Sequence, residues 1–389
     1  MPRAKNSAEK SASKCKPSRC LPDWLGLVDI DELAIISGGF IADRTYHTVA
    51  RWIELSLLLQ IEREWMYSPR IVVLSLFAIL AGGQCTSAQS PATSAERSFE
   101  FRYGAKIVGL KPGVRCKAWF PIASSSDFQT IESRSTESNG KLTETVEEKY
   151  GNRIGFVELV VQQEDPTFGV TYQVLRKMAK SSGAGQGIKN SQRKLFLSAN
   201  ALVPIDGTPA GLAKGLSLPA DTDLAASRLY EFVHGHMTYD KSKVGYGKGD
   251  AVWACNSKTG NCTDFHSLFI SMARSQSIPA KFEIGFPLPK DKRSGSIAGY
   301  HCWAWFYSAR RGWTPVDISE ADKHPEMKEF YEGRLTADRI AMSVGRDIEL
   351  VPAAKSKPLN YFVYPYVEVD GVPLDREQIE LDVSFQDCD

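Results

Sequence analysis

Cys262, His301 and Asp317 have the side-chain types that nucleophilic chemistry at a carbonyl carbon requires. A thiolate attacks, an imidazole moves the proton, and a carboxylate fixes the tautomer and orientation of that imidazole. Cys262 lies in the stretch Gly260-Asn261-Cys262-Thr263-Asp264-Phe265-His266. After it, Phe265, Leu268, Phe269 and Met272 recur at helical spacing, which predicts a helix over 262–276 with one buried face, ended by Ile278-Pro279. A thiol at a helix start meets free N–H groups and the positive end of the dipole, so its pKa falls and more of it is the reactive anion. The same N–H groups can hold an oxyanion.

His301 lies on the aromatic strand pattern Tyr300-His301-Cys302-Trp303-Ala304-Trp305-Phe306-Tyr307, sharing a face with Trp303, Trp305 and Tyr307. Asp317 ends the next pattern, Trp313 to Asp317, across the turn Ala309-Arg310-Arg311-Gly312. Antiparallel neighbours joined this way can set a carboxylate against an imidazole. Asp317 is also placed to cap the helical segment from Ser319. The Cys262 N–H is the first expected oxyanion donor. Asn256, Trp253 and Tyr246 are candidates for a second donor or for the cleft wall, and no spacing selects among them, although Asn256 has suitable amide chemistry. His266, one turn past Cys262, is placed to tune the site or to serve the core. His234, His236, Cys255, His266 and Cys302 form no tetrahedral set at recognised metal spacing, so neither a metal nor a cofactor is expected. Cys255 and Cys302 flank the candidates and could pair in an oxidising compartment.

The elements that must position these residues follow from patterning. Phe99, Phe101 and Tyr103 alternate, as do Cys116, Ala118 and Phe120, with a turn at Lys111-Pro112-Gly113 between them; 156–161 and 170–175 add strands. Residues 98–177 therefore read as an antiparallel, sandwich-like β domain with a scaffold role. A Gly- and Ser-rich linker spans 178–193. The catalytic core is expected over 194–345. In it a helix capped by Asp221 or Thr222 carries Leu224, Ala225, Leu229, Phe232 and Val233 on its apolar face, and strands cover 282–286, 300–307 and 313–317. Strands at 361–369 and 381–385 lie in the C-terminal part, 346–389. The fold class is α+β, with the Cys262 helix packed on an antiparallel sheet.

The N-terminal part carries a different signal. Ile71 to Ala81 is an apolar run preceded by Met66 and Arg70 and followed by small residues, the order of a secretory signal over 66–88. The run is too short for a span, which takes about 20 residues. Residues 89–97 read as a linker, and 1–65 as an extension upstream of a start at Met66. These features predict an exported product, periplasmic or extracellular, with no stable membrane span in the mature chain. Gln84 before Cys85 does not fit a lipobox.

Composition narrows the class further. The 389 residues carry 47 Lys and Arg against 46 Asp and Glu, a net charge of +1, so no global field favours nucleic acid. Eight cysteines are too sparse for a disulfide scaffold.

The Gly-x-Cys-x-Asp-Phe helix start, the Tyr-His-Cys-Trp strand and the Gly-Trp-x-Pro-x-Asp strand, in this order, resemble the transglutaminase-like superfamily. The resemblance covers 221–321 and is closest to exported bacterial members of the core-domain type. It implies a papain-like fold, with Cys262 as nucleophile, His301 as general base and acid, and Asp317 as the orienting carboxylate. It further implies acyl transfer on amides of a protein or peptide substrate, with hydrolysis the first expectation. The alternatives are a cross-linking transferase and a silent module that binds peptides or cell-wall material.

Overall fold

The computed structural model describes residues 95–183 and 187–388. The extension at 1–65, the signal-like segment at 66–88 and most of the linker at 89–97 lie outside them. The fold is α+β, with antiparallel sheets.

Two five-stranded sheets form a sandwich. In one, Glu96–Ile107 lies between Ile379–Asp387 and Thr167–Lys177; in the other, Arg115–Ile122 lies between Tyr366–Val369 and Arg153–Val160. The C-terminal strands thus complete the N-terminal sheets, with Phe101 opposite Phe385 and Ala118 opposite Val367. The alternating aromatics turn inward, as period two requires. Phe120 stacks on Phe168 at 4.5 Å between centroids. The strands Gln129–Ser138 and Lys141–Val146 had no sequence signal, because their side chains are mostly exposed and carry no apolar alternation.

The part that holds Cys262 has a four-stranded sheet in the order Gly312–Val316, His301–Ser308, Ala280–Pro287, Arg339–Val344. The helix Cys262–Ser275 packs against the His301 strand and is enclosed by helices Gly207–Gly215, Thr222–His236 and Ala251–Ser257. One buried face was expected of it, yet every residue from Cys262 to Arg274 is buried. The polar face is tolerated because it is partnered. Ser267 Oγ accepts from Arg346 Nη1 at 2.6 Å, and Arg274 Nη1 donates to Asn200 Oδ1 at 2.7 Å.

Several local expectations give way to tertiary contacts. Leu224, expected on the apolar face of its helix, is 59% exposed, while Asp223 and Tyr230 are buried instead. The strand expected at 361–369 is confined to Tyr366–Val369; Pro365 has no N–H to donate, and Tyr361 and Tyr364 leave the sheet. Ala179–Lys180, in the expected linker, pairs with Arg334–Leu335. Gly285 is required by close approach, since a Cβ there would lie 1.8 Å from the Ile340 carbonyl oxygen. The outer edge of the Arg339 strand is covered by side-chain amides of the sandwich. Gln129 and Asn152 bond the backbone of Ala341 and Val344 at 2.7–3.0 Å.

Candidate active site

Asn261 starts the Cys262 helix by a reciprocal cap. Its Oδ1 accepts from the Thr263 N–H at 2.9 Å, and its own N–H donates to Asp264 Oδ2 at 2.9 Å. Asp264 also accepts from the N–H groups of Gly247 at 2.7 Å and Gly249 at 2.9 Å, which ties the preceding loop to the helix. A Cβ at Gly249, whose φ is +62°, would meet Ser267 Oγ at 2.7 Å. The Cys262 N–H takes part in none of these bonds, and Cys262 lines the cleft.

The structure brings Cys262, His301 and Asp317 together, all buried. His301 Nε2 bonds Asp317 Oδ2 at 2.7 Å, which leaves Nδ1 for the Cys262 thiol. Asp317 also caps the next helix, its Oδ1 accepting from the Glu320 N–H at 3.2 Å. Arg339 Nη1 donates to the same Oδ2 at 2.8 Å, while its guanidinium lies 4.9 Å from the centroid of the Trp303 ring. The Asp317 carboxyl is held well below the usual range, because burial is outweighed by His301 and Arg339.

These contacts set the protonation states. A hydrogen bond from the Cys302 thiol lowers the Cys262 pKa most; burial opposes it, and His301 adds to the fall, so the net position is well below the usual thiol value. Burial alone would lower His301, but the Asp317 carboxylate and Cys262 push it up to about 10. Both shifts run in the direction that favours the thiolate and imidazolium form of the pair. Burial and the neighbouring thiolate push Cys302 well above its ordinary value, so it stays a thiol and can donate. His266 is pushed down to about 4, chiefly by burial. Its Nε2 accepts from the Ile318 N–H at 3.1 Å, so the 3.7 Å approach to Asp317 Oδ1 is not an ion pair at neutral pH. Its Nδ1 lies 3.6 Å from Cys302 Sγ.

The donor candidates separate in space. Tyr246 lines the cleft at Cys262, and it is 41% exposed. Trp253 supports the loop from beneath, its indole against Gly245. Asn256 is exposed on its helix and is not part of the cleft lining. His236 bonds the Cys255 carbonyl at 2.8 Å, and Cys255 and Cys302 are both free thiols. Sequence reasoning missed Arg339, Tyr239, Tyr361 and Tyr364 as parts of the site, and used Tyr300 only as part of its strand motif. Only Arg339 had a usable signal, a charge at the start of an apolar strand.

Residues 210–318 match the transglutaminase-like superfamily, a range that holds Cys262, His301 and Asp317. An uncharacterised protein of Haemophilus influenzae is 25% identical over 299 residues, covering 66% of this chain and 81% of the relative. A candidate cysteine protease from Cytophaga hutchinsonii aligns structurally with a TM-score of 0.47 at 15% identity, covering 76% of this chain and 99% of that one. The periplasmic domain of TgpA from Pseudomonas aeruginosa, bound to ethylmercury, gives 0.31 at 16% identity, covering 60% and 92%.

Proposed function

With residues 210–318 forming a core of the transglutaminase-like superfamily, we propose that the protein is a thiol-dependent enzyme that transfers acyl groups from amide bonds, water being the usual acceptor. The observation that carries this reading is the bond between His301 Nε2 and Asp317, which turns Nδ1 toward a thiol already held as the anion.

The Cys262 thiolate attacks the amide carbonyl, and the Cys262 N–H donates to the oxyanion. As the C–N bond breaks, His301 gives its proton to the leaving amine, and an acyl thioester remains on Cys262. Water then loses a proton to His301 and attacks the thioester; the acid leaves and the thiolate returns. Asp317 stays ionised throughout and holds the ring. Arg339 acts through Asp317 as a positioning residue. The signal-like order at 66–88 supports action outside the cytoplasm, which N-terminal sequencing of the native product tests.

The decisive experiment incubates native protein and Cys262→Ala with a glutamine peptide and a primary amine. Native protein is expected to release free acid, and the variant to lose at least about 10³-fold of the rate. An amine adduct dominating over free acid overturns hydrolysis in favour of cross-linking, and equal rates overturn the role of Cys262.

A further inference from the structure

The cleft above Cys262 has room for about 570 Å³. Tyr239, Tyr300, Tyr361 and Tyr364 wall it, and Lys241 and Lys248 stand on the loop side. No carboxylate belongs to that lining. Burial pushes all four phenols above their ordinary value, so at physiological pH each is a neutral hydroxyl; Tyr361 gives its proton to the Gly247 carbonyl, and Tyr300 accepts from Asn261 Nδ2 at 3.1 Å. The wall is thus rich in O–H and N–H donors and carries no fixed anion besides the thiolate, which is matched by imidazolium.

The carboxylates next to the lining residues have partners: Asp264 accepts from the N–H groups of Gly247 and Asn261 at 2.7 and 2.9 Å. Asp240 accepts from the N–H and the hydroxyl of Ser242, both at 2.8 Å, and Asp322 accepts from the Tyr239 N–H at 2.8 Å. Glu320 pairs with Lys323 at 2.8 Å. Among the described residues neither Lys241 nor Lys248 has a carboxylate partner; Lys241 lies 5.7 Å from the Tyr239 ring centroid.

Lys248 is also held in place by its backbone. Its carbonyl accepts from Asn360 Nδ2 at 2.7 Å and from Arg346 Nη2 at 3.2 Å. The flanking Gly247 and Gly249 donate to Asp264 on the nucleophile helix, and Tyr361 donates to the Gly247 carbonyl at 3.2 Å. A cation whose main chain is fixed to the reacting helix loses less freedom on meeting an anion than one on a free loop.

We propose that the substrate is an acidic peptide, with a carboxylate close to the scissile acyl group that Lys241 and Lys248 receive in the tyrosine-walled cleft. This rests on the acyl-transfer reading above. Lys241 and Lys248, exposed where they line the cleft, raise the local concentration of anions there.

The test separates the two readings by using charged and neutral thiol reagents. Full-length native protein and Lys241→Gln/Lys248→Gln are treated with iodoacetate and with iodoacetamide, and alkylation of the peptide containing Cys262 is followed by mass spectrometry. The ratio of the two rates is expected to fall roughly three- to tenfold in the double variant at low salt, and the native ratio to fall as salt is raised. Each ratio is internal to one protein, so altered folding does not mimic the effect. In parallel, a glutamyl peptide amide and its glutaminyl isostere are compared as substrates, with preference for the glutamyl form expected in the native protein and lost in the variant. An unchanged reagent ratio, or native preference for neutral or cationic peptides, overturns the proposal. A Cys262 that reacts with iodoacetamide no faster than a free thiol overturns the acyl-transfer reading instead.

Discussion

Between the two five-stranded sheets, Phe99, Phe101, Tyr103, Phe120 and Phe168 fill the interior with rings. Between the Cys262 helix and its sheet, the same depth of burial holds Asp264, His266, Ser267, Arg274, His301 and Asp317. In the first region stability comes from apolar area removed from water, which is non-directional and survives changes of neighbour. In the second, each buried polar group depends on a particular partner, so the loss of one atom leaves another stranded. The regions also meet: Phe286, from the four-stranded sheet, packs against Phe101 and Tyr103 at 5.8 Å. The sandwich thus supports the site without supplying its chemistry.

The contrast is tested most severely at Asp317. Asp317→Asn is expected to lower kcat by about 10³–10⁴-fold, since the amide no longer stabilises the imidazolium. It also leaves Arg339 without its carboxylate, at a cost of about 3–5 kcal/mol in stability. Steady-state kinetics with chemical denaturation check both, and a rate within tenfold of native would remove Asp317 from the mechanism.

Phe168→Ala probes the opposite region. It is expected to cost about 3–5 kcal/mol of stability by leaving a cavity against Phe120. Under conditions where the variant remains folded, the alkylation rate of Cys262 should match the native value. If that rate falls in step with stability, the two regions are not separable.

Arg339→Gln gives the smallest and most specific effect. The guanidinium draws on the same Asp317 oxygen as His301, so removing it strengthens the hold of the carboxylate on the imidazolium. Native hydrolysis should decline as pH rises through about 10, where His301 loses the proton owed to the leaving amine. In the variant that limb should move to higher pH, with kcat down roughly tenfold and KM unchanged. Arg339→Lys should restore part of kcat. A change in KM alone, with the limb fixed, would make Arg339 merely structural.

Much of this organisation was readable from sequence because it is local. The apolar residues at 265, 268, 269 and 272 marked the helix that runs Cys262–Ser275, and period-two aromatics marked the strands Glu96–Ile107, Arg115–Ile122 and His301–Ser308. Polar strands and short helices escaped, since their apolar patterns are weak or absent. Asn256 was favoured on side-chain chemistry, but its helix turns it to solvent, and side-chain type carries no information on direction.

The sequence by itself determined the helix start at Cys262, the strand of His301, the strand that ends just before Asp317, and their order along the chain. Helix and strand periods are properties of neighbouring residues, so no tertiary contact is needed to read them. Only the tertiary structure decided that Arg339 shares an oxygen with His301, that Cys302 donates toward Cys262, and that residues from 239 to 364 wall one cleft. It also decided that the C-terminal strands close the N-terminal sheets. Burying a charge or pairing an edge becomes favourable only when a partner far along the chain arrives to meet it, and that meeting leaves no periodic trace in the sequence.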